Sequence, residues 1–116
     1  MNIVFVLNDA PYGSDRCYNA LRLAGGLAKA SSNKVRVFLF GDSAGCAKAG
    51  QKVPEGFYNV QFMLDRILQR DGEVGVCGTC MDARGIAADD LAGGVKRGSL
   101  EDLVEWTEWA DQVLVF

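Results

Sequence analysis

Apolar and polar positions alternate along this chain with two periods, and the changes between them mark its elements. Asn2 to Asn8 is a continuous apolar run rich in Ile, Val and Phe, the pattern of a strand buried on both faces of a parallel sheet. A turn-like segment follows, Asn8-Asp9-Ala10-Pro11-Tyr12-Gly13-Ser14, with Ser14 placed as a helix N-cap and Asp15 in the first helical turn. Cys17, Ala20, Leu21, Ala24, Leu27 and Ala28 then recur at helical spacing, and Asn33 closes that helix. Val35 to Phe40 reads as a second buried strand. Gly41 to Gly56, rich in glycine and carrying Pro54, reads as a long loop with one short helix.

Phe57, Val60, Leu64, Ile67 and Leu68 mark a second long helix, and Glu73 to Cys77 a short third strand. The pattern is then poor until Ser99-Leu100-Glu101-Asp102, a capping box with Asp102 in place of the usual Glu. Leu100, Leu103, Val104, Thr107 and Ala110 form a third helical stripe, which leaves Trp109 nearly opposite and Trp106 at its edge. Gln112 to Phe116 closes the series as a last strand. Strands alternating with helices predict an α/β fold with a mostly parallel sheet covered on both faces. Four strands are legible; a fifth is sought between Ile86 and Val95.

Composition narrows the function more than the fold. At 116 residues, 49% hydrophobic and 23% charged, the sequence suits one globular domain spanning residues 1–116. A formal net charge of −3 gives no basic surface for nucleic acid. No apolar run approaches the roughly 20 residues that span a bilayer, and the start lacks a basic n-region and a cleavage site. The expected compartment is cytoplasmic, where four cysteines are reduced, catalytic or metal-bound more often than paired in a structural framework. With no histidine, the chain can build neither a Ser-His-Asp triad nor a Cys-His dyad, nor His-ligated zinc.

Cys77-Gly78-Thr79-Cys80 is the segment that carries chemistry. It falls where a strand ends and a helix can begin, at the carboxyl edge of a parallel sheet where ligand sites form. Free backbone N–H groups and a helix start favour thiolate over thiol, and such settings lower a cysteine pKa from about 8.5 to as little as ~3.5. Arg84, seven residues after Cys77, stands roughly two helical turns on. From there it is a candidate for binding an anionic adduct, with Thr79 beside the thiolate. The bland alternative makes both cysteines inert core residues.

Cys17, on the apolar stripe of the first helix, is core filling, and Cys46 is a spare thiol in the glycine-rich loop. One CxxC pair is half of what a structural zinc site needs, so no metal and no cofactor are expected. A thioredoxin-like reading fails because CxxC comes late and neither Pro11 nor Pro54 follows it. Asn8 to Ser14 lacks a phosphate-loop signature and reads as a simple βα connection. Its place on the same sheet edge still makes Asn8, Tyr12 and Gly13 candidate walls of a pocket near Cys77. Asp89-Asp90 and Glu101-Asp102 read as a solvated loop and a helix start.

Taken together, the segments Asn8 to Ser14, Gly50-Gln51-Lys52, Cys77-x-Thr79-Cys80-x-Asp82-x-Arg84-Gly85-Ile86 and Trp106-Thr107…Ala110-Asp111 resemble the DsrE/DsrF sulfur-relay family in its YchN-like branch, nearly end to end. The resemblance implies a three-layer α/β/α domain with about five strands, which supplies the missing one, and homotrimers or hexamers. In the DsrE branch a cysteine after a sheet strand accepts sulfur as a persulfide. Cys77 occupies that position here, whereas Cys80 belongs to the YchN-like pattern.

The leading expectation is a sulfur carrier or sulfurtransferase: Cys77 takes sulfane sulfur from a donor protein, and Cys80 helps release it to an acceptor. A thiol–disulfide redox protein or sensor on Cys77 and Cys80 is the first rival. A non-enzymatic module for a small anion or nucleotide is the second. With Trp109 off the stripe, a homo-oligomer with Trp109 and Trp106 at a subunit contact is expected.

Overall fold

Ile3, Val4, Phe5, Val6 and Leu7 are all buried, so β1 (Asn2–Leu7) is covered on both faces as its unbroken apolar run requires. The computed structural model describes residues Met1–Phe116. After β1 come α1 (Arg16–Leu27), β2 (Lys34–Leu39), a 3-10 segment Gly41–Ala47, α2 (Val60–Leu68), β3 (Glu73–Cys77), α3 (Gly78–Ala83), a 3-10 turn Ala88–Asp90, β4 (Lys96–Gly98), α4 (Leu100–Trp109) and β5 (Gln112–Val115). The five strands form one parallel sheet in the order β4-β3-β2-β1-β5. No helix is long and apolar enough to cross a membrane.

The two sheet faces differ. Ile3, Phe5, Leu7, Val35, Val37, Leu39, Val74 and Val76 join Ala20, Leu21 and Ala24 of α1 and Leu64 and Ile67 of α2 in one buried cluster. Burying each such aliphatic side chain is worth about 1.5–3 kcal/mol, so this face holds most of the fold's stabilisation. The opposite face, carrying Val4, Val6 and Phe38, is crossed by α4 on its way from β4 at one edge to β5 at the other. Three layers result.

The sheet corrects two expectations. The fifth strand is β4, Lys96–Gly98, just beyond the Ile86–Val95 window; it is polar and short because it is an edge strand paired only to β3. The stripe on α4 does not face the core. Leu100 and Val104 are 63% and 50% exposed, while Trp106 meets Phe38 edge-on at 5.8 Å between centroids. Trp109 sits under the Arg36 guanidinium at 3.8 Å. One helix alone covers this face, and its two indoles bury more area than the aliphatic stripe would. Gly75 makes room for Trp106: a Cβ there would lie 3.2 Å from Trp106 Cη2.

Helix starts shift slightly. α1 begins at Arg16, whose N–H donates to Ser14 Oγ at 3.4 Å, so Ser14 acts one position earlier than a simple N-cap. α2 begins at Val60 under an Asn59 cap, leaving Phe57 outside the helix and 70% exposed. The Ser99–Asp102 capping box forms as read: Asp102 N–H donates to Ser99 Oγ at 3.2 Å, and Ser99 N–H to Asp102 Oδ2 at 2.8 Å.

Candidate functional site

Cys77 ends β3 and caps α3, so its sulfur stands where the chain turns from sheet to helix. The Cys80 N–H donates to Cys77 Sγ at 3.4 Å, and the Thr79 hydroxyl lies 3.3 Å from the same sulfur. Cys80 Sγ in turn accepts the Gly41 N–H at 3.2 Å. Gly41 has φ +54, a backbone setting that favours glycine.

These contacts split the two thiols. Burial raises the Cys77 pKa, but hydrogen bonds from the Cys80 thiol, the Thr79 hydroxyl and the backbone N–H groups of Cys80 and Thr79 outweigh it, and the net shift is downward. Cys80 is pushed up, by burial first and then by its hydrogen bond to Cys77, with Gly41 N–H and Arg84 opposing. Cys77 is therefore the more acidic thiol of the pair and Cys80 the less acidic one. Cys77 is only 7% exposed, which limits attack to a reagent that can reach the sheet edge.

Arg84 takes a different place from the one its spacing implies. α3 stops at Ala83, and Arg84 folds back to donate to the Cys80 carbonyl at 3.1 Å and to Asp42 Oδ1 at 2.8 Å. It bears on Cys80, and its charge is already matched by Asp42. The arginine beside Cys77 is Arg97. It forks onto Asp82 at 2.9 and 3.0 Å, and its guanidinium lies across Gly78, where a Cβ would meet Cζ at 2.7 Å. The Asp82 carboxylate first, and more weakly the Cys77 charge, hold the Arg97 pKa up. Sequence reasoning missed Arg97 because it lies on the three-residue strand that the pattern did not reveal; only the β4–β3 register, Gly98 opposite Cys77, places it.

The βα turn divides among tasks. Asn8 stays at this edge: its backbone carbonyl faces Gly41, and its side-chain and backbone N–H groups both donate to the Phe116 carbonyl. Tyr12 and Gly13 instead line a separate cavity of about 660 Å³ with Lys52, Pro54, Phe57 and Tyr58, which neither Cys77 nor Cys80 lines. The Tyr12 hydroxyl donates to Gln51 Oε1 at 2.8 Å and accepts the Val60 N–H at 3.1 Å, pinning the turn to α2. Gln51 also donates to the carbonyls of Cys46 and Lys48, both at 2.9 Å, which gives the Gly50-Gln51-Lys52 segment its structural work.

Cys17 fills the core as read. Cys46 does not stand free in a loop: it is fully buried in the 3-10 segment and hydrogen-bonded to Cys17, which pushes the Cys46 thiol up. No group of three or more His, Cys, Asp or Glu side chains is clustered as metal ligands would be.

The DsrE/DsrF-like family model matches residues 1–116. The chain is 45% identical over 115 residues to Protein YchN of Escherichia coli (strain K12), covering 98% of this chain and 97% of that one. It is 36% identical over 114 residues to an uncharacterized protein of Methanopyrus kandleri, covering 98% and 93%. The crystal structure of ychN protein from E. coli superimposes with a TM-score of 0.93 at 44% identity, over 99% of this chain and 98% of that chain. A protein of unknown function from Methanobacterium thermoautotrophicum shares the fold at a TM-score of 0.76 and 15% identity, with 97% of each chain covered.

Proposed function

Because this chain belongs to the DsrE/DsrF-like family, we propose that it is a sulfur carrier that accepts sulfane sulfur as a persulfide on Cys77 and passes it to a protein partner. The observation that carries the reading is the position of Cys77 at the end of β3 and the start of α3, where the Cys80 N–H and the Thr79 hydroxyl both meet its sulfur and make it the more acidic thiol of the pair. Thiolate is the form that attacks sulfur.

In the loading step Cys77–S⁻ attacks the terminal sulfur of a donor persulfide, R–S–SH. The donor S–S bond breaks, a new one forms to Cys77, and the donor leaves as R–S⁻. The N–H of Cys80 and the hydroxyl of Thr79 sit where they stabilise the attacking sulfur. Unloading to an acceptor thiolate is the same step reversed. Alternatively, deprotonated Cys80 attacks the Cys77 sulfur, HS⁻ leaves, and a Cys77–Cys80 disulfide remains.

The closeness of the two cysteines, with the Cys80 N–H donating to Cys77 Sγ at 3.4 Å, also favours a second reading, a thiol–disulfide protein. There the pair yields two electrons and two protons to an oxidised disulfide partner. Intact-mass spectrometry after exposure to a small-molecule persulfide separates them. In the Cys80→Ser variant, which cannot close the disulfide, a gain of one sulfur atom at Cys77 supports the carrier; no adduct on that variant, with loss of two hydrogens in the native chain, supports the redox protein and overturns the carrier.

The proposal includes a reducing cytoplasmic compartment, in which four unpaired cysteines are stable. The proposal includes a homo-oligomer, a trimer or hexamer. Its support is the exposed apolar side chains Leu100 and Val104 of α4 and Val113 and Val115 of the edge strand β5, rather than the indoles.

A further inference from the structure

Every arginine of this chain is ion-paired except three, and those three share one groove. Arg16, Arg36, Arg84 and Arg97 face Asp9, Glu73, Asp42 and Asp82. Arg22, Arg66 and Arg70 have no carboxylate partner, and together with Lys29 they line a groove of about 600 Å³ between α1 and α2. No carboxylate lines it. Four of the chain's 12 cationic side chains thus converge on one surface of a protein whose net charge is −3. Like charges brought together without counter-charges repel, so the arrangement calls for an anion.

Two further features prepare the groove. Arg70 donates to the Gly25 carbonyl at 3.0 Å, which carries its guanidinium across from the end of α2 to α1. Arg22 is steadied over the Tyr18 ring at 5.3 Å. The floor is Gly25-Gly26, inside α1, where glycine is a poor helix residue. A Cβ at either position would meet nothing within 4 Å, so no packing inside the chain calls for glycine there. What the two glycines keep open is space outside it. The helix dipole favours cations near helix C-termini, which accounts for Lys29 and Arg70 taken singly. It does not account for Arg22 in mid-helix, or for the glycine floor.

We infer that this groove binds a small anion carrying two or more phosphate groups. Guanidinium forks match phosphate oxygens in pairs, and the volume is that of a small-molecule site. The groove lies toward the carboxyl ends of α1 and α2, away from the strand end that holds Cys77, so binding is independent of the thiol chemistry.

Titrating the full chain with inorganic tripolyphosphate by isothermal calorimetry tests this. One anion binds per chain, and affinity falls steeply as salt rises. Arg66→Gln and Arg70→Gln each weaken binding about tenfold or more, as expected for loss of a charged fork. Gly26→Leu keeps every charge, improves the helix and fills the groove; it abolishes binding. Lys96→Gln and Cys77→Ser leave binding unchanged. Absence of binding, full binding by Gly26→Leu, or equal weakening by Lys96→Gln overturns the inference. Tighter binding of an oligoglutamate peptide than of tripolyphosphate overturns the assignment to phosphate.

Discussion

The Arg97 guanidinium forks onto Asp82 at 2.9 and 3.0 Å, and that pairing holds it across Gly78, immediately after Cys77 in the chain. Residue 78 is therefore glycine for a packing reason: any side chain there displaces the one cation that stands beside the candidate nucleophile. Arg97→Gln lowers the alkylation rate of Cys77 about threefold at mildly acidic pH, the modest size expected of an exposed charge. Arg84→Gln leaves that rate unchanged, because its guanidinium serves Asp42 and the Cys80 carbonyl. Peptide mapping of the labelled protein reads both; a larger loss from Arg84→Gln would reverse the assignment.

The pH dependence of labelling follows from the direction of the shifts. With the Cys77 pKa lowered, its thiolate fraction, and so its alkylation rate, reaches half-maximum at a lower pH than an ordinary thiol does. Thr79→Val removes one donor and moves that midpoint upward. The midpoint for Cys80 lies above the ordinary value in the native chain. A Cys77 midpoint at or above that of Cys80 contradicts the proposed roles.

Trp106 is the side chain that fastens α4 to its face of the sheet, through Phe38 and the space over Gly75. Trp106→Ala costs about 2–3 kcal/mol in denaturant unfolding, less than the ~3–5 kcal/mol of a fully buried ring. Gly75→Ala crowds the same indole and costs about 1–3 kcal/mol. A neutral Trp106→Ala would mean that α4 is held elsewhere.

The exposed apolar side chains of α4 and β5 predict the assembly. Val104→Lys lowers the mass measured by light scattering while leaving the far-UV circular dichroism intact, since Val104 is half-exposed on the outer side of α4. Trp109→Lys instead costs stability, because it loses the Arg36 contact. A wild-type chain that is monomeric at about 10 micromolar, within the ordinary range of association constants, contradicts the proposed oligomer.

The parts of the fold legible in the sequence are those whose pattern has one physical cause. β1 and β3 show themselves because both faces are buried, and β3 spans Glu73–Cys77 as read. β4 is not legible: Lys96-Arg97-Gly98 is an edge strand whose pairing comes from β3 and not from apolar alternation. The face of α4 is not legible either, because counting apolar positions weights Leu100 and Val104 as heavily as two indoles. The site divides in the same way. Cys77, Thr79 and Cys80 are neighbours in sequence and stay neighbours in space, whereas Arg97, Asp42 and Gly41 reach them only through the fold. Tyr12 and Gly13 share the edge but belong to another cavity, a separation that sequence position does not encode.

The most direct test of the central claim is sulfur loading of the single-cysteine variants, read by peptide-level mass spectrometry after exposure to a small-molecule persulfide and quenching by alkylation. Cys80→Ser accumulates a persulfide on Cys77, because the thiol that releases the sulfur is gone; Cys77→Ser takes up none at residue 80. Equal loading of the two variants, or loading of Cys80 when Cys77 is absent, would contradict Cys77 as the sulfur-accepting thiolate.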